Sequence, residues 1–465
     1  MKNMTLKNIA AVCHGLLCND TDTVDTVSGV EYDSRRVEAG NLFIAMPGGR
    51  VDGHSYIAEV AKKGAAAVIC EREPENALSI PYILVTDSFK ALQHIAAFYR
   101  QNLSLPIIGI SGSAGKTSTK EFIAAVLGER FAVLKTEGNF NNEIGLPYMV
   151  LRIREHHQVA VLEMGISNFG EMSRLARIAR PDIAVLTNIG DCHLEQLGDR
   201  AGVLRAKSEM FDFLPADGRA VLCGDDELLR QIHTVRGKAP LRFGLGADND
   251  IWADSMENRA LQGVAVRIGI KETGETVRVS IPLPGEHMIL NALAAAGVGT
   301  LLSLKLDEIQ TGIAKVEGSL GRCRIVRLAS GATIIDDCYN ANPLSVQAAL
   351  KLLADADKTG RKVAILGDML ELGEKKEQLH ADIGRQAVAS GADVVILIGP
   401  LSWHTYAAAL VGNDKEKTLI SHFPDKVAFL SALADLLRPN DVILLKASRG
   451  MGFEELVEGI TDFYS

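Results

Sequence analysis

The segment Ile107–Glu129, IIGISGSAGKTSTKEFIAAVLGE, carries the residue types that hold polyphosphates. A β-branched run leads into Gly112, Ser113, Ala114, Gly115, Lys116, Thr117 and Ser118. An apolar-periodic stretch follows, with Phe122, Ala125 and Val126 on one side, which predicts strand, loop and helix in that order. Glycines let backbone N–H groups turn inward around phosphate oxygens, and the helix start adds partial positive charge. A lysine placed as Lys116 is reaches the β- and γ-phosphates, and a hydroxyl placed as that of Thr117 ligates Mg²⁺. The loop is a shortened variant. Ile110 stands where a phosphate loop usually has its first glycine, and the glycines present are Gly109 and Gly112.

Two further groups lie where they can join it. Glu163 ends the apolar run Val159–Glu163, and His193 follows Ile183–Gly190 in the sequence DCHLEQLG. A carboxylate and an imidazole at adjacent strand ends can converge on one metal beside a phosphate loop; hard oxygen ligands suit Mg²⁺, and histidine is a less usual one. Taken singly, Glu163 reads as a strand-end charge and His193 as a loop residue; the neighbouring phosphate loop favours the metal reading. Lys207, in LRAKSEMFDFL, reads by itself as a solvated helix lysine.

These residues need a scaffold that presents strand ends. Compact runs rich in Val and Ile recur at Ala65–Cys70, Tyr82–Asp87, Ile107–Gly112, Val159–Gly165, Ile183–Gly190, Val363–Asp368, Val394–Gly399 and Val442–Gly450. Lacking apolar/polar alternation, they suit strands buried on both faces of a parallel sheet, with helices between. Ligands in such sheets sit beyond the carboxyl ends of the strands. The fold class expected is α/β in three domains: a small α/β substrate domain at 1–104, a central phosphate-loop ATPase domain with a mostly parallel sheet at 105–318, and a Rossmann-like α/β domain at 319–465. The Gly-rich segment Glu317–Arg322 marks the boundary between the last two, with a hinge expected at Glu317–Gly321, where Gly318 and Gly321 can absorb backbone rotation.

Composition bounds the partners. A 465-residue chain with 47% apolar and 23% charged residues is globular and long enough for several cores. A net charge of −9 without a long basic run argues against nucleic acid. The seven cysteines form no CxxC pair and suit reduced thiols in the cytoplasm. Residues 1–22 read as a small helix rather than a signal peptide, and no run approaches the roughly 20 apolar residues of a membrane span.

Taken together, the motifs resemble those of the Mur ligase family, the three-domain ATP-dependent amino-acid and peptide ligases of peptidoglycan synthesis. The resemblance runs along nearly the whole chain: GSAGKTS (Gly112–Ser118), TEGNFNNEIGLP (Thr136–Pro147), EMG (Glu163–Gly165), RPDIAVLTNIGDCHLEQLG (Arg180–Gly198) and AKSE (Ala206–Glu209). It continues through GEHMILNALAAA (Gly285–Ala296), DDCYNANP (Asp336–Pro343), GDMLELGE (Gly367–Glu374) and KASRGM (Lys446–Met451), with YDSRRVEAGNLFIAMPGGRVDGH (Tyr32–His54) at the N-terminal end. Within the family the motifs are most similar to those of the member that adds D-alanyl-D-alanine. Two departures stand out: Met288 replaces a common Asn and is expected to make no hydrogen bond there, and Cys338 replaces a common Ser as a small buried spacer.

The resemblance implies roles. Lys116 and the Gly112–Ser118 backbone would hold the ATP phosphates, and Thr117, Glu163, His193 and a carbamylated Lys207 would serve Mg²⁺. Asn291 would contact adenine, and Arg322 and Asp337 phosphate and ribose. Ser34 and Arg35 would lie near a uridine nucleotide, and Asn139 and Asn142 near the muramoyl group. The implied substrates are UDP-N-acetylmuramoyl-tripeptide and D-alanyl-D-alanine, handled by a cytoplasmic monomer. Three alternatives stay open: the ligase adding the third amino acid, whose diaminopimelate form carries a D-N-P-R motif absent here; folylpolyglutamate synthetase; and a GTPase switch, for which the N-K-x-D tetrapeptide is missing.

Overall fold

In the computed structural model, which describes residues 1–19, 26–49, 51–358, 360–413 and 417–464, the apolar runs form three separate sheets. Residues 20–22 of the N-terminal stretch and Arg50 of the Tyr32–His54 segment lie outside the described residues. The N-terminal sheet has the order Leu16–Cys18, Tyr82–Leu84, Ala67–Cys70, Asn41–Ile44, Gly29–Glu31 and is parallel except for its first strand. The C-terminal sheet runs Arg324–Arg327, Thr333–Asp336, Val442–Lys446, Lys362–Gly367, Val394–Ile398, Leu419–Phe423, and only Arg324–Arg327 is antiparallel. The three-domain α/β class therefore holds.

The nine-stranded central sheet positions the chemistry. Its strand Ile107–Ser111 lies between Val159–Glu163 and Ile183–Leu186, all three parallel, with Ile110 level with Glu163 and Ser111 level with Leu186. These strands are buried along their whole length, as continuous Val/Ile runs require. Their carboxyl ends consequently open onto one rim, where the phosphate loop, Glu163 and the Thr187–His193 loop emerge together. The central sheet is mostly parallel, as expected, and its antiparallel part lies at the far side. Ile251–Asn258, Val264–Ile270 and Thr276–Ile281 pair antiparallel, and the outer strand alternates exposed and buried positions because only one of its faces is covered.

Helices Lys116–Gly128 and His287–Leu301 pack together against the central sheet. One apolar core runs from Met4 to Leu444 through all three sheets, with smaller clusters in the terminal ones. The helix Ser88–Gln101 fastens the N-terminal sheet to the centre: the Tyr99 hydroxyl donates to the Ile153 carbonyl at 2.7 Å, and Arg100 Nε to the Ala179 carbonyl at 2.8 Å. Among the described residues no helix is long and apolar enough to cross a membrane, and the seven cysteines are free.

Candidate active site

The loop after Ile107–Ser111 takes its shape from the neighbouring strand end. Gly112 has φ +151°, and a Cβ there would sit 1.9 Å from Thr187 Oγ1, so a side chain is excluded. Thr187 Oγ1 donates to the Ala114 carbonyl at 2.6 Å, and the Ala114 N–H donates to Asn188 Oδ1 at 2.9 Å. Ser113 Oγ accepts from the Gly190 N–H at 2.8 Å. The loop is thus braced from the Thr187–Gly190 segment, whose role was not legible in the sequence.

Lys116 opens the helix that follows. Its Nζ donates to the Gly112 carbonyl at 2.8 Å, curled back over the loop. Burial pulls its pKa below the ordinary lysine value, and the Glu163 carboxylate opposes that shift. On the next residue, Thr117 Oγ1 donates to Glu163 Oε2 at 2.8 Å, with both groups buried. The other carboxylate oxygen accepts from Asn141 Nδ2, also at 2.8 Å. Lys207 is fully buried beneath this wall, and its Nζ has no hydrogen-bond partner. Burial, helped by the charge of Lys116, pushes its pKa down to about 8.

A cavity of about 1040 Å³ lies between the central rim and the C-terminal sheet. On one wall stand Ser113–Lys116, Ser118, Glu163, His193 and Asn291; on the other stand Arg322, Asp337, Tyr339, Asn342, Lys446 and Arg449. Asn342 caps the helix Pro343–Asp355 and its Nδ2 donates to the Ser113 carbonyl at 3.3 Å, so the C-terminal part closes directly on the phosphate loop. Asp337 is fixed by Lys446 Nζ at 2.6 Å and by the Cys323 N–H at 3.2 Å. The Arg322 guanidinium stacks 4.2 Å over the Tyr339 ring, and Arg449 lies on the same ring at 5.3 Å.

The other residues named from the sequence take these places, Asn142 and Asn291 among them on the cavity lining. Asn139 is exposed and outside the cavity, and the Asn142 side chain accepts from the N–H groups of Ile144 and Gly145 at 3.2 and 2.9 Å, capping a helix. The asparagine that reaches the acid is Asn141, which the sequence offered only as one of a doublet. Asn291 lines the cavity, but its Oδ1 accepts from Thr119 Oγ1 at 2.9 Å and its Nδ2 donates to Met288 Sδ at 3.4 Å. Met288 therefore does take part in a hydrogen bond, contrary to expectation. Cys338 is buried and donates its thiol to Asp336 Oδ1 at 2.9 Å. Ser34 and Arg35 form a helical turn in the N-terminal part, away from the cavity; Ser34 is buried, and Arg35 pairs with Asp33 at 2.7 Å. Lys446, Tyr339 and Arg449 were named only as parts of motifs, and the structure brings them to the cavity wall.

Three family models match the chain: the Mur ligase middle domain over residues 110–299, the Mur ligase glutamate ligase domain over 321–449, and the Mur ligase family catalytic domain over 26–100. The UDP-N-acetylmuramoyl-tripeptide–D-alanyl-D-alanine ligase of Bacillus subtilis is 38% identical over 99% of both chains, and that of Escherichia coli 34% identical over 99% of both. Among solved structures, a MurF from Acinetobacter baumannii superimposes with TM-score 0.88 at 31% identity, covering 99% of each chain. A MurF ligase from Thermotoga maritima in complex with ADP does so with TM-score 0.80 at 29% identity, covering 93% of this chain and 97% of the other.

Proposed function

The chain belongs to the Mur ligase family, and on that premise we propose that it joins D-alanyl-D-alanine to UDP-N-acetylmuramoyl-tripeptide with ATP, through an acyl-phosphate. The observation that carries this reading is the cavity in which a phosphate loop, the buried Thr117–Glu163 pair and the C-terminal Arg322, Asp337 and Lys446 face one another. The enzyme works as an amide-forming ligase, with domains taken as 1–104, 105–318 and 319–465. A cytoplasmic place of work belongs to the same proposal.

A carboxylate is a poor electrophile at neutral pH because its charge repels an amine lone pair. Moving the γ-phosphoryl group of ATP onto the tripeptide carboxylate gives a mixed anhydride with a good leaving group. The free amine of D-alanyl-D-alanine then attacks the acyl carbon and gives up a proton to a carboxylate or phosphate oxygen, the amide forms and phosphate departs with the C–O electron pair. Charge in the phosphoryl transition state is spread over oxygens, so the protein's task is positioning and electrostatic stabilisation. Lys116, now resting on the Gly112 carbonyl, swings to the phosphates. Arg322, stacked on Tyr339, adds positive charge from the opposite wall. Closure of the C-terminal wall keeps water from the anhydride.

The donor set fits Mg²⁺. Thr117 and Glu163 supply hard oxygens at the loop, and Mg²⁺ is commonly bound by one or two protein oxygens together with phosphates and water. His193 on the cavity wall and a modified Lys207 complete the proposed set. When bound, the ion neutralises charge on the transferring phosphoryl group. A buried lysine amine without a partner suits carbamylation: the neutral amine adds to CO₂, loses a proton and becomes a carboxylate-like anion. Asn291 is proposed to meet adenine, Asp337 ribose, Ser34 and Arg35 the uridine nucleotide, and Asn139 and Asn142 the muramoyl side.

The experiment is phosphate release from ATP, with the peptide product followed by mass. Release must require UDP-N-acetylmuramoyl-tripeptide and D-alanyl-D-alanine together and match pentapeptide formed. Equal release without the tripeptide would leave an ATPase and overturn the reading.

A further inference from the structure

We propose that Glu371, carried by the C-terminal part, is a positioning residue for the His193 imidazole, so that the metal site is completed only when the C-terminal sheet is docked on the central one. This rests on the reading above that His193 serves Mg²⁺.

His193 Nδ1 and Glu371 Oε2 lie 2.5 Å apart. The approach has ion-pair distance without hydrogen-bond alignment, and Nδ1 is otherwise buried with no partner. The two residues come from loops far apart in the chain. His193 stands at the head of the short helix Leu194–Leu197, and Glu371 follows the strand Lys362–Gly367. The turn Gly373–Lys375 packs on that same helix, so the contact belongs to a docked surface rather than to two wandering side chains.

Backbone conformation adds a second, independent observation. His193 has φ +52° and Glu371 φ +63°, so both sit in the left-handed region without being glycine. Residues other than glycine stay there at a cost, and such positions gather at functional sites. Here two of them face each other across the interface. Each loop is bent so as to present its side chain to the other.

The chemistry follows from the imidazole. A histidine that ligates a metal through one nitrogen usually donates its other N–H to a carboxylate or carbonyl, which fixes tautomer and ring plane. With Nδ1 held by Glu371, the lone pair is left on Nε2, and His193 lines the cavity that would receive the nucleotide. Because Glu371 arrives with the C-terminal part, an undocked enzyme would present an unoriented His193 and a weaker site.

The test uses Mn²⁺ as the probe, titrated into the full-length protein with a non-hydrolysable ATP analogue and followed by electron paramagnetic resonance. Glu371→Gly removes the carboxylate while suiting φ +63°, so its thermal midpoint should not fall below that of the parent protein. Its Mn²⁺ affinity should drop on the order of 10–100-fold. Glu371→Asp should recover part of the loss. In a His193→Ala background, Glu371→Gly should have no further effect, because the two changes act through one ligand. Unchanged or tighter Mn²⁺ binding by Glu371→Gly, or the same loss in both backgrounds, overturns the proposal. If the unaltered protein itself binds no Mn²⁺ with the analogue, the metal reading of the site falls first and the proposal with it.

Discussion

At the scale of single residues, the account turns on two lysines in different surroundings. Lys116→Ala keeps the loop backbone, which Thr187, Asn188 and Gly190 brace, but removes the cation from the transferring phosphoryl. Turnover should fall on the order of 10²–10³-fold with an unchanged thermal midpoint, as steady-state kinetics and calorimetry can check. Lys207 is buried without a partner, so as an ammonium it costs stability. Its pKa of about 8 lies below the ordinary value of 10.5, and an unfolded chain binds the proton more tightly than the folded one. The penalty is therefore full below about pH 8 and is relieved as pH rises from there to about 10.5. Lys207→Met should raise stability by about 1–3 kcal/mol in protein stripped of CO₂, while abolishing ligation. Lys207→Ala should regain activity with a short carboxylic acid. Labelled bicarbonate should give a lysine carbamate resonance that fades as pH falls below about 8, where the amine protonates. Lys207 was partly legible. By itself it reads as a solvated helix lysine, and only the family resemblance gives it a role; the structure buries it completely, on one face with Val203, Ala206 and Met210. Residue type alone had argued for solvent. Glu163 was legible because it ends an apolar run; Asn141 was not, because nothing local separates it from Asn142.

At the scale of elements, the fully buried strands were the readable part, since a strand covered on both faces must be a continuous apolar run. Of the strands from Ile251 to Ile281, Ile251–Asn258 carries a bulge between Asp254 and Glu257 that breaks its pattern, and Thr276–Ile281 alternates exposed and buried positions instead of forming a continuous apolar run. The expected hinge is testable at its glycines. Gly321 has φ +66°, and a Cβ there would lie 3.2 Å from the Tyr339 backbone N and Cβ. Gly321→Ala should therefore cost about 1 kcal/mol and disturb the Arg322–Tyr339 stack, lowering turnover more than nucleotide affinity. Gly318→Ala would meet only Leu283 Cδ2 at 3.4 Å, an ordinary contact, and should be nearly silent. Equal effects of the two in kinetics and thermal unfolding would count against a hinge located at Gly321.

At the scale of the whole molecule, the cavity has two walls from two sheets, tied by Asn342 on the Ser113 carbonyl and by Glu371 on His193. A ligand that touches both walls favours the closed arrangement by its extra contacts there. Adding the ATP analogue and tripeptide should lower the radius of gyration in solution scattering, and an unchanged value would argue against closure. None of these cross-sheet contacts could be read from local sequence, because their partners meet only after both sheets have folded. The central claim is that the tripeptide carboxylate becomes an acyl-phosphate before the amine attacks. Its most direct test is to label that carboxylate with ¹⁸O, run the complete reaction with unlabelled ATP and D-alanyl-D-alanine, and weigh the phosphate released. One labelled oxygen should pass from the carboxylate into each phosphate. Phosphate free of label, with pentapeptide formed in equal amount, would contradict the acyl-phosphate route.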